Sequence, residues 1–227
     1  MSPAFDAVLF DFRGTLFGIE DDTTWVKNAA ATIGRTITVD EAATICRHLD
    51  ETLAARPDLR DGLDRSDVSF EIHREANLAW FAAASVDPEL AHAIWARDAD
   101  APEANFPFPE TETVMRALHE HGVRVAVVSD IHYDIREHFR RHDLDQYVDA
   151  YVLSFEHGCQ KPDAEVYTRA LDALGVPAAR ALMVGDRASH DGAAAAVGIA
   201  TYIFAAPFGS GASGPLGLEA VLRLAGL

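Results

Sequence analysis

Short, mostly apolar runs are the feature that most constrains the fold of this 227-residue chain. Each run is only four to seven residues long, and most contain β-branched or aromatic residues. Continuous apolar runs of this length are typical of strands in a parallel sheet whose two faces are both covered by helices. The runs occupy residues 7–10, 123–129, 151–154, 181–184 and 201–204.

Helical patterns between these runs give the chain an alternating order of strands and helices. Residues 112–121 and 163–174 place apolar side chains at helical spacing, and each segment is followed by a glycine, Gly122 or Gly175. A glycine directly after such a pattern is typical of a helix end. The alternation predicts an α/β fold with a Rossmann-like, doubly wound parallel sheet.

The segment 18–100 has a different pattern, with several helix signals and no strand-like run. Thr38–Glu41 has the form of a capping box, in which the first and last residues cap the same helix start. Asp87–Pro88 combines a favourable N-cap with proline at the first helical position. A further apolar helix is predicted over residues 70–84.

These patterns predict a discontinuous core interrupted by an all-α domain. The core comprises residues 1–17 and 101–227, and the inserted helical cap comprises residues 18–100. The proline-rich stretch 101–110 is predicted to be the linker that returns the chain to the core.

Composition excludes several classes of function. The formal charge of −17, from 19 basic and 36 acidic residues, leaves no basic surface for a nucleic-acid partner. Cys46 and Cys159 are too few for a disulfide framework or zinc site, so we expect reduced thiols and a cytoplasmic protein.

The N-terminus lacks the basic start of a signal peptide. Glycines and prolines interrupt the uncharged stretch 192–218, so we expect a soluble protein without a membrane partner.

Reactive side chains follow several of the predicted strands. In parallel sheets, ligands bind at the carboxyl ends of the strands. Asp11 there suits a nucleophile or metal ligand, and Ser129 suits a phosphate ligand, although turn formation and helix capping explain such residues equally well. Lys161 is one of only two lysines in the chain and opens a helix, which indicates a specific positive charge. The pair Asp186 and Asp191 suits an oxygen-ligand Mg²⁺ site.

Taken together, these residues resemble the motifs of the haloacid dehalogenase-like hydrolase superfamily. Their order is the order of that superfamily's motifs, and the gap after the first leaves room for a helical cap. The matching segments are DFRGTL (11–16), VVSD (127–130), QKPD (160–163) and VGDRASHD (184–191).

The resemblance implies a Mg²⁺-dependent phosphohydrolase that acts on a small phosphorylated metabolite. It implies that Asp11 is the nucleophile that forms an aspartyl-phosphate, with Lys161 neutralising charge in the transition state. It implies phosphate binding by Thr15, Ser129, Asp130 and Lys161. It further implies that Mg²⁺ is held by Asp11, the backbone carbonyl of Arg13, Asp186 and Asp191.

Arg13 departs from the pattern of the superfamily's phosphatases. They usually carry a second Asp at this position, which protonates the leaving alkoxide and later activates water. A guanidinium does not transfer protons near neutral pH. General acid–base catalysis contributes roughly 10²–10⁴-fold to rates. We therefore expect a substrate with a good leaving group, a histidine acid, or a substrate-binding role for Arg13. The candidate histidines are His132, His157 and His190.

Other functions remain open at this stage. Phosphonatase-like relatives also lack the second Asp and use a cap lysine, for which Lys27 is the candidate. Dehalogenase-like relatives cleave carbon–halogen bonds but lack the GD…D motif that stands at 185–191. A degenerate binding or regulatory protein is the third alternative. Aromatic residues of the cap suit either its core or a substrate pocket: Trp25, Trp80, Phe81 and Trp95.

Overall fold

The computed structural model describes residues 3–204 and 217–227. Five of its strands form one parallel sheet in the order β5-β4-β1-β6-β7, and the other two form an antiparallel ribbon. The strands are β1 (Ala7–Phe10), β2 (Phe17–Ile19), β3 (Asn105–Pro107), β4 (Arg124–Ser129), β5 (Ala150–Leu153), β6 (Ala181–Gly185) and β7 (Ala200–Ile203).

Helices fill the connections between strands and also a long insertion after β2. The helices are α1 (Asp22–Thr32), α2 (Val39–Ala55), α3 (Pro57–Leu63), α4 (Phe70–Ala83), α5 (Pro88–Asp100), α6 (Thr111–Glu120), α7 (Arg136–Arg141), α8 (Ser154–His157), α9 (Ala164–Leu174) and α10 (Ala220–Ala225). Short 3-10 helices lie at Pro102–Ala104, Asp145–Tyr147, Ala178–Arg180 and Asp191–Val197.

The central strand β1 shows why the apolar runs form a sheet covered on both faces. Successive strand residues point to opposite faces, and all four residues of β1 are fully buried. Val8 and Phe10 pack into a cluster that includes residues of α6, α7 and α10. Ala7 and Leu9 pack into a second cluster that includes residues of α9. The predicted doubly wound parallel sheet is therefore confirmed.

The insertion folds as helices because its local signals agree with its apolar pattern. The capping box at the start of α2 forms as predicted, since Thr38 and Glu41 each accept a hydrogen bond from the other's backbone N–H. Asp87 caps α5 through the N–H of Leu90. Helices α1, α2, α4 and α5 supply an apolar cluster of their own, which is separate from the two clusters on the sheet.

The β2–β3 ribbon was not predicted from the sequence. Phe17 pairs with Pro107 and Ile19 with Asn105, so the chain leaves for the helical insertion and returns along adjacent strands. Three-residue strands are too short for periodicity to indicate, and β3 lies in the stretch that we predicted to be a linker. The division into a core (1–17, 101–227) and a cap (18–100) stays a prediction, with the ribbon at its boundary.

The uncharged stretch 192–218 forms, in its described part, the 3-10 helix Asp191–Val197 and the strand β7. Residues 205–216, which include three of its six glycines, lie outside the described residues. Within residues 3–204 and 217–227, no helix combines the length and apolarity needed to cross a membrane.

His138 makes the stability of this fold depend on pH. Its ring is buried in α7, and its Nε2 lies 3.1 Å from the hydroxyl of Tyr133. Burial and the nearby charge of Arg13 lower the pKa of His138 from 6.5 to about 4. The unfolded chain therefore binds more protons as the pH falls from 6.5 towards 4. We expect a loss of up to about 3 kcal/mol of unfolding free energy across that window.

This prediction is tested by urea unfolding of the wild type and His138→Gln between pH 7 and pH 4. The variant should lose part of the pH dependence, because glutamine does not titrate, whereas His73 of α4, whose pKa is also lowered to about 4, keeps its own contribution. The matched change at an exposed histidine, His48→Gln, should keep the wild-type dependence. Equal slopes for all three proteins would contradict the assignment to His138.

Candidate active site

The carboxyl edge of the sheet brings together residues from all four sequence motifs. Asp11 directly follows β1, Ser129 ends β4, and Asp186 directly follows β6. Lys161 lies in the loop before α9, and Asp191 begins the 3-10 helix after β6. Strands β4 and β6 flank β1 in the sheet, and all three run parallel. Their ends therefore place side chains from distant parts of the sequence at one location.

Lys161 is the centre of this cluster. Its side chain is fully buried, and Nζ donates hydrogen bonds to Asp11 Oδ1 at 2.7 Å and to Asp191 Oδ1 at 2.6 Å. Burial by itself lowers the pKa of a lysine, but Asp11, Asp130 and Asp191 outweigh it and raise the pKa of Lys161 above its ordinary value. The ammonium is therefore fixed in its charged form between two carboxylates.

The carboxylates outnumber this positive charge. Oxygens of Asp11, Asp186 and Asp191 lie within 4.8 Å of one another, so three negative charges face the single charge of Lys161. Burial raises the pKa of Asp11, although Lys161 opposes the shift. The pKa of Asp186 is also raised, by burial and then by the charge of Asp191. With all three carboxylates ionised, two negative charges are left uncompensated, which is the charge that a divalent cation supplies.

Asp186 provides the clearest observation in favour of a cation. Both of its carboxylate oxygens are buried, and neither has a hydrogen-bond partner in the described part of the chain. By contrast, Asp191 Oδ2 accepts a hydrogen bond from the backbone N–H of Arg187 at 2.9 Å. Buried carboxylates without partners are costly, and hard divalent cations such as Mg²⁺ prefer oxygen ligands. The donor set therefore fits Mg²⁺.

Gly14 allows Asp186 to approach the first loop closely. Its φ is +80°, a conformation that side chains with a Cβ rarely adopt. A Cβ at this position would lie 2.5 Å from Asp186 Oδ2. The glycine in DFRGTL thus gives the loop its turn and leaves room for the carboxylate.

The remaining predicted phosphate ligands differ in their surroundings. Ser129 is buried at the end of β4, and its side chain makes no hydrogen bond with the described residues. Thr15 is fully buried, and its hydroxyl has no partner among the described residues. Asp130 accepts hydrogen bonds from the backbone N–H of Lys161 at 2.8 Å and from Arg187 Nη2 at 2.9 Å. Asp130 therefore positions the lysine loop, and its predicted role in phosphate binding stays a prediction.

Arg13 turns its side chain away from this cluster, towards the helical insertion. Its guanidinium forms an ion pair with Asp98 of α5 and donates hydrogen bonds to Asn105 Oδ1 at 3.0 Å and Tyr133 Oη at 2.9 Å. Burial would lower the pKa of Arg13, but the charge of Asp98 outweighs it and raises the pKa above its ordinary value. Arg13 is thus a permanent cation. Its three partners were not identified from the sequence, because no local pattern connects them to Arg13.

Of the three candidate histidines, His132 lies beside the partner of Arg13. It is buried, with Nε2 3.8 Å from Asp98 and Nδ1 3.8 Å from Asp67, and neither nitrogen forms a hydrogen bond among the described residues. Its ring stacks on His73 of α4 at 3.5 Å between centroids. Burial and then His132 lower the pKa of His73 to about 4. His157 lies in α8, whereas His190 directly precedes Asp191, where the charges of Arg187, Asp130 and Lys161 act on its ring.

A cavity of about 340 Å³ begins at Arg13 and extends between helices α1, α2, α4 and α5. The sequence allowed either a core or a pocket role for four aromatic residues of the cap. All four line this cavity, and they also pack with the apolar cluster of these helices. They therefore have both roles. Lys27 lies on α1 but is not among the lining residues. The lining includes Arg13, Asp22, Trp25, Cys46, Asp50, His73, Trp80, Phe81, Trp95 and Asp98.

Replacing Lys161 tests whether the buried ammonium stabilises the site. Lys161→Met leaves Asp11 and Asp191 buried without their cation, and breaking a buried ion pair in this way costs about 3–5 kcal/mol. Lys27→Met removes the only other lysine, which forms no ion pair within the described ranges 3–204 and 217–227, and should change stability by no more than about 0.5 kcal/mol. Urea unfolding at pH 7 measures both. Equal stability losses in the two variants would contradict a structural role for Lys161.

Comparison with curated proteins finds phosphatases. The chain is 35% identical over 98 residues to a ribulose-1,5-bisphosphate 5-phosphatase of Halopiger xanaduensis, covering 42% of this chain and 41% of that protein. It is 33% identical over 84 residues to a glyceraldehyde 3-phosphate phosphatase of Pyrococcus abyssi, covering 37% and 35%. The matched segments thus span less than half of each relative.

Comparison with solved structures and with family models covers more of the chain. The crystal structure of a predicted phosphoglycolate phosphatase from Haemophilus somnus 129pt has a TM-score of 0.65 at 14% identity, covering 97% of this chain and 98% of that one. This similarity shows the fold. A model of the haloacid dehalogenase-like hydrolases matches residues 5–198. The chain belongs to the haloacid dehalogenase-like hydrolase family.

Proposed function

We propose that this hydrolase cleaves phosphate monoesters of small metabolites through an aspartyl-phosphate on Asp11. The observation that carries the proposal is the buried ammonium of Lys161, held at 2.7 Å from Asp11 in a cluster of three carboxylates. Such a cluster supplies a nucleophile together with the positive charge that an anionic substrate requires. The phosphatase names of the two curated relatives support the same class of reaction.

The proposed reaction has two displacements at phosphorus. A carboxylate oxygen of Asp11 bonds to phosphorus, and the bond from phosphorus to the leaving oxygen breaks with its electron pair on that oxygen. Lys161 balances negative charge on the phosphoryl oxygens, and the hydroxyl of Ser129 donates a hydrogen bond to one of them. Water then attacks the phosphorus of the aspartyl-phosphate, which releases inorganic phosphate and restores the carboxylate.

Mg²⁺ fits the donor set formed by Asp11, Asp186, Asp191 and the backbone carbonyl of Arg13. The unpartnered oxygens of Asp186 and the two surplus negative charges support this assignment. When bound, the ion reduces repulsion between the nucleophile and the phosphate and helps to orient them. Asp191 also holds Lys161, so one carboxylate links the ammonium to the cation site.

Arg13 restricts which leaving groups the proposed reaction can release. Its guanidinium is paired with Asp98 and does not protonate an alkoxide. We propose that the enzyme therefore favours esters whose leaving group needs little protonation, or that His132 supplies the proton. The position of His132 beside Asp98, the partner of Arg13, supports it over His157, and His190 beside Asp191 is the second candidate. Because the two cysteines are free thiols, we place the reaction in the cytoplasm.

Two observations disfavour the alternative reactions. Carbon–phosphorus cleavage through a lysine imine requires Lys27 near the substrate, but Lys27 does not line the cavity. Carbon–halogen cleavage does not require the third carboxylate, Asp186, whose buried oxygens lack partners among the described residues.

Phosphate release with and without EDTA tests the proposed function. The substrates are an aryl phosphate, an acyl phosphate and a panel of alkyl phosphates. We expect wild-type turnover that Mg²⁺ supports and EDTA abolishes, and a loss of at least about 10³-fold in Asp11→Asn, because covalent catalysis requires the carboxylate. Asp172→Asn, at an exposed aspartate of α9, should retain wild-type activity. Release of phosphate that survives in Asp11→Asn would contradict the proposal.

A double variant tests the consequence of Arg13. Arg13→Asp alone would place a second carboxylate against Asp98, so the informative protein is Arg13→Asp/Asp98→Asn, which leaves one carboxyl group at this position. We expect the rate with alkyl phosphates to rise about 10-fold or more relative to the rate with aryl phosphates, because a general acid assists poor leaving groups most. An unchanged ratio would show that proton transfer does not limit the reaction, and loss of all activity would indicate substrate binding by Arg13.

A further inference from the structure

The cavity between the inserted helices has aromatic walls without free hydrogen-bond donors. Each indole N–H already donates a hydrogen bond of 3.0 Å inside the protein, from Trp25 to the carbonyl of Ile94, from Trp80 to the carbonyl of Leu49, and from Trp95 to His73 Nδ1. The rings contribute π faces, which carry negative electrostatic potential and attract cations. Arg97 already lies over the Trp25 ring at 5.5 Å, so Trp80, Trp95 and the other face of Trp25 remain for a ligand.

Carboxylates at the same cavity are not neutralised by the protein. Asp22 of α1 and Asp50 of α2 both line it, and neither forms a salt bridge with any described residue. Both aspartates are solvent-exposed, and partial desolvation followed by the charge of Asp50 raises the pKa of Asp22. Burial and the same two carboxylates also raise the pKa of Cys46, so its thiol stays protonated. The two aspartates are close enough to repel one another, and a cation placed between them would relieve that repulsion.

The basic residues nearby are already neutralised. Arg13 forms an ion pair with Asp98, and Arg97 forms one with Glu20, so neither contributes a free positive charge to the cavity. His73 is uncharged at neutral pH, because its pKa is about 4. Among the described lining residues, the charge left after this pairing is negative. A second phosphate or carboxylate on the substrate would be repelled from this cavity.

We propose that this cavity binds an organic ammonium cation, carried by the leaving group of the phosphate ester. The volume of about 340 Å³ is at the small end of ligand cavities and suits a compact amino alcohol. Arg13, which lines the cavity, is two residues beyond Asp11 in the sequence, and we take the phosphate end of the substrate to lie at Asp11 and its ammonium end in the cavity. The proposal rests on the proposed phosphatase activity for its substrate, but the ammonium site is testable without turnover.

Choline is a suitable probe for binding alone. The chain has three tryptophans and all of them line the cavity, so indole fluorescence reports on this site. We expect choline to change the fluorescence in a saturable way. The uncharged isostere dimethylbutanol, with carbon in place of nitrogen, should bind at least about 10-fold more weakly, since it lacks the cation–π and ionic attraction. Equal binding of the two, or no binding of choline, would overturn the proposal.

A charge-matched pair of variants locates the site. Asp22→Asn/Asp50→Asn should weaken choline binding about 10-fold or more. The control Asp40→Asn/Asp61→Asn removes the same charge from exposed positions of α2 and α3. Asp40 lies in the first turn of its helix, as Asp22 does, so the two double variants are matched in helix position as well as in charge. The control should bind choline like the wild type. Equal weakening in both double variants would mean that only the net charge matters, which would overturn the assignment to this cavity.

Hydrolysis of three related phosphate esters distinguishes a failure of the ammonium site from a failure of the proposed phosphatase activity. Phosphoethanolamine, glycol monophosphate and phosphoglycolate differ only in an ammonium, hydroxyl or carboxylate end. We expect kcat/KM to be highest for the ammonium ester, and its ratio to the hydroxyl ester to fall about 10-fold in Asp22→Asn/Asp50→Asn. A preference for phosphoglycolate would overturn the ammonium site. Failure to hydrolyse any ester, together with selective choline binding, would contradict the phosphatase function and leave the ammonium site supported.

Discussion

The burial of Lys161 between Asp11 and Asp191 is the interaction on which the candidate active site depends. An ammonium without contact to solvent is tolerated only when carboxylates surround it, and these carboxylates come from loops after β1 and β6. The parallel sheet is what brings those loops together, because it places the ends of adjacent strands at one edge. Asp186 adds a third carboxylate, so the cluster has more negative than positive charge. The proposed Mg²⁺ site would supply the missing positive charge at the edge where the sheet places these residues.

Arg13 connects this cluster with the helical insertion. The superfamily's phosphatases usually have an acid–base group here, but in this chain the side chain is anchored by Asp98 of α5, Asn105 of β3 and Tyr133. These contacts fix one end of the cavity to the loop that carries the proposed nucleophile. We therefore expect a substitution of Arg13 to alter both the leaving groups that the enzyme releases and the substrates that it selects.

The sequence predicted the parts of the molecule that depend on local patterns. Strand β1 and the capping box at Thr38 followed from apolar runs and caps, whereas grouping Asp11 with Lys161 also needed the resemblance to the superfamily. The β2–β3 ribbon did not, because three residues carry too little periodicity. The ion pair of Arg13 with Asp98 was equally inaccessible, since the two residues are 85 positions apart and nothing in either local sequence specifies the other.

The proposed reaction requires Asp11 to be phosphorylated during turnover, and this intermediate can be trapped. The wild type is mixed with an aryl phosphate and Mg²⁺, quenched in acid within milliseconds, digested and analysed by mass spectrometry. The account predicts one added phosphoryl group on the peptide that contains Asp11, removed by hydroxylamine and absent from Asp11→Asn. Phosphate release with no phosphorylated peptide, or with phosphate on another residue, would contradict the role given to Asp11.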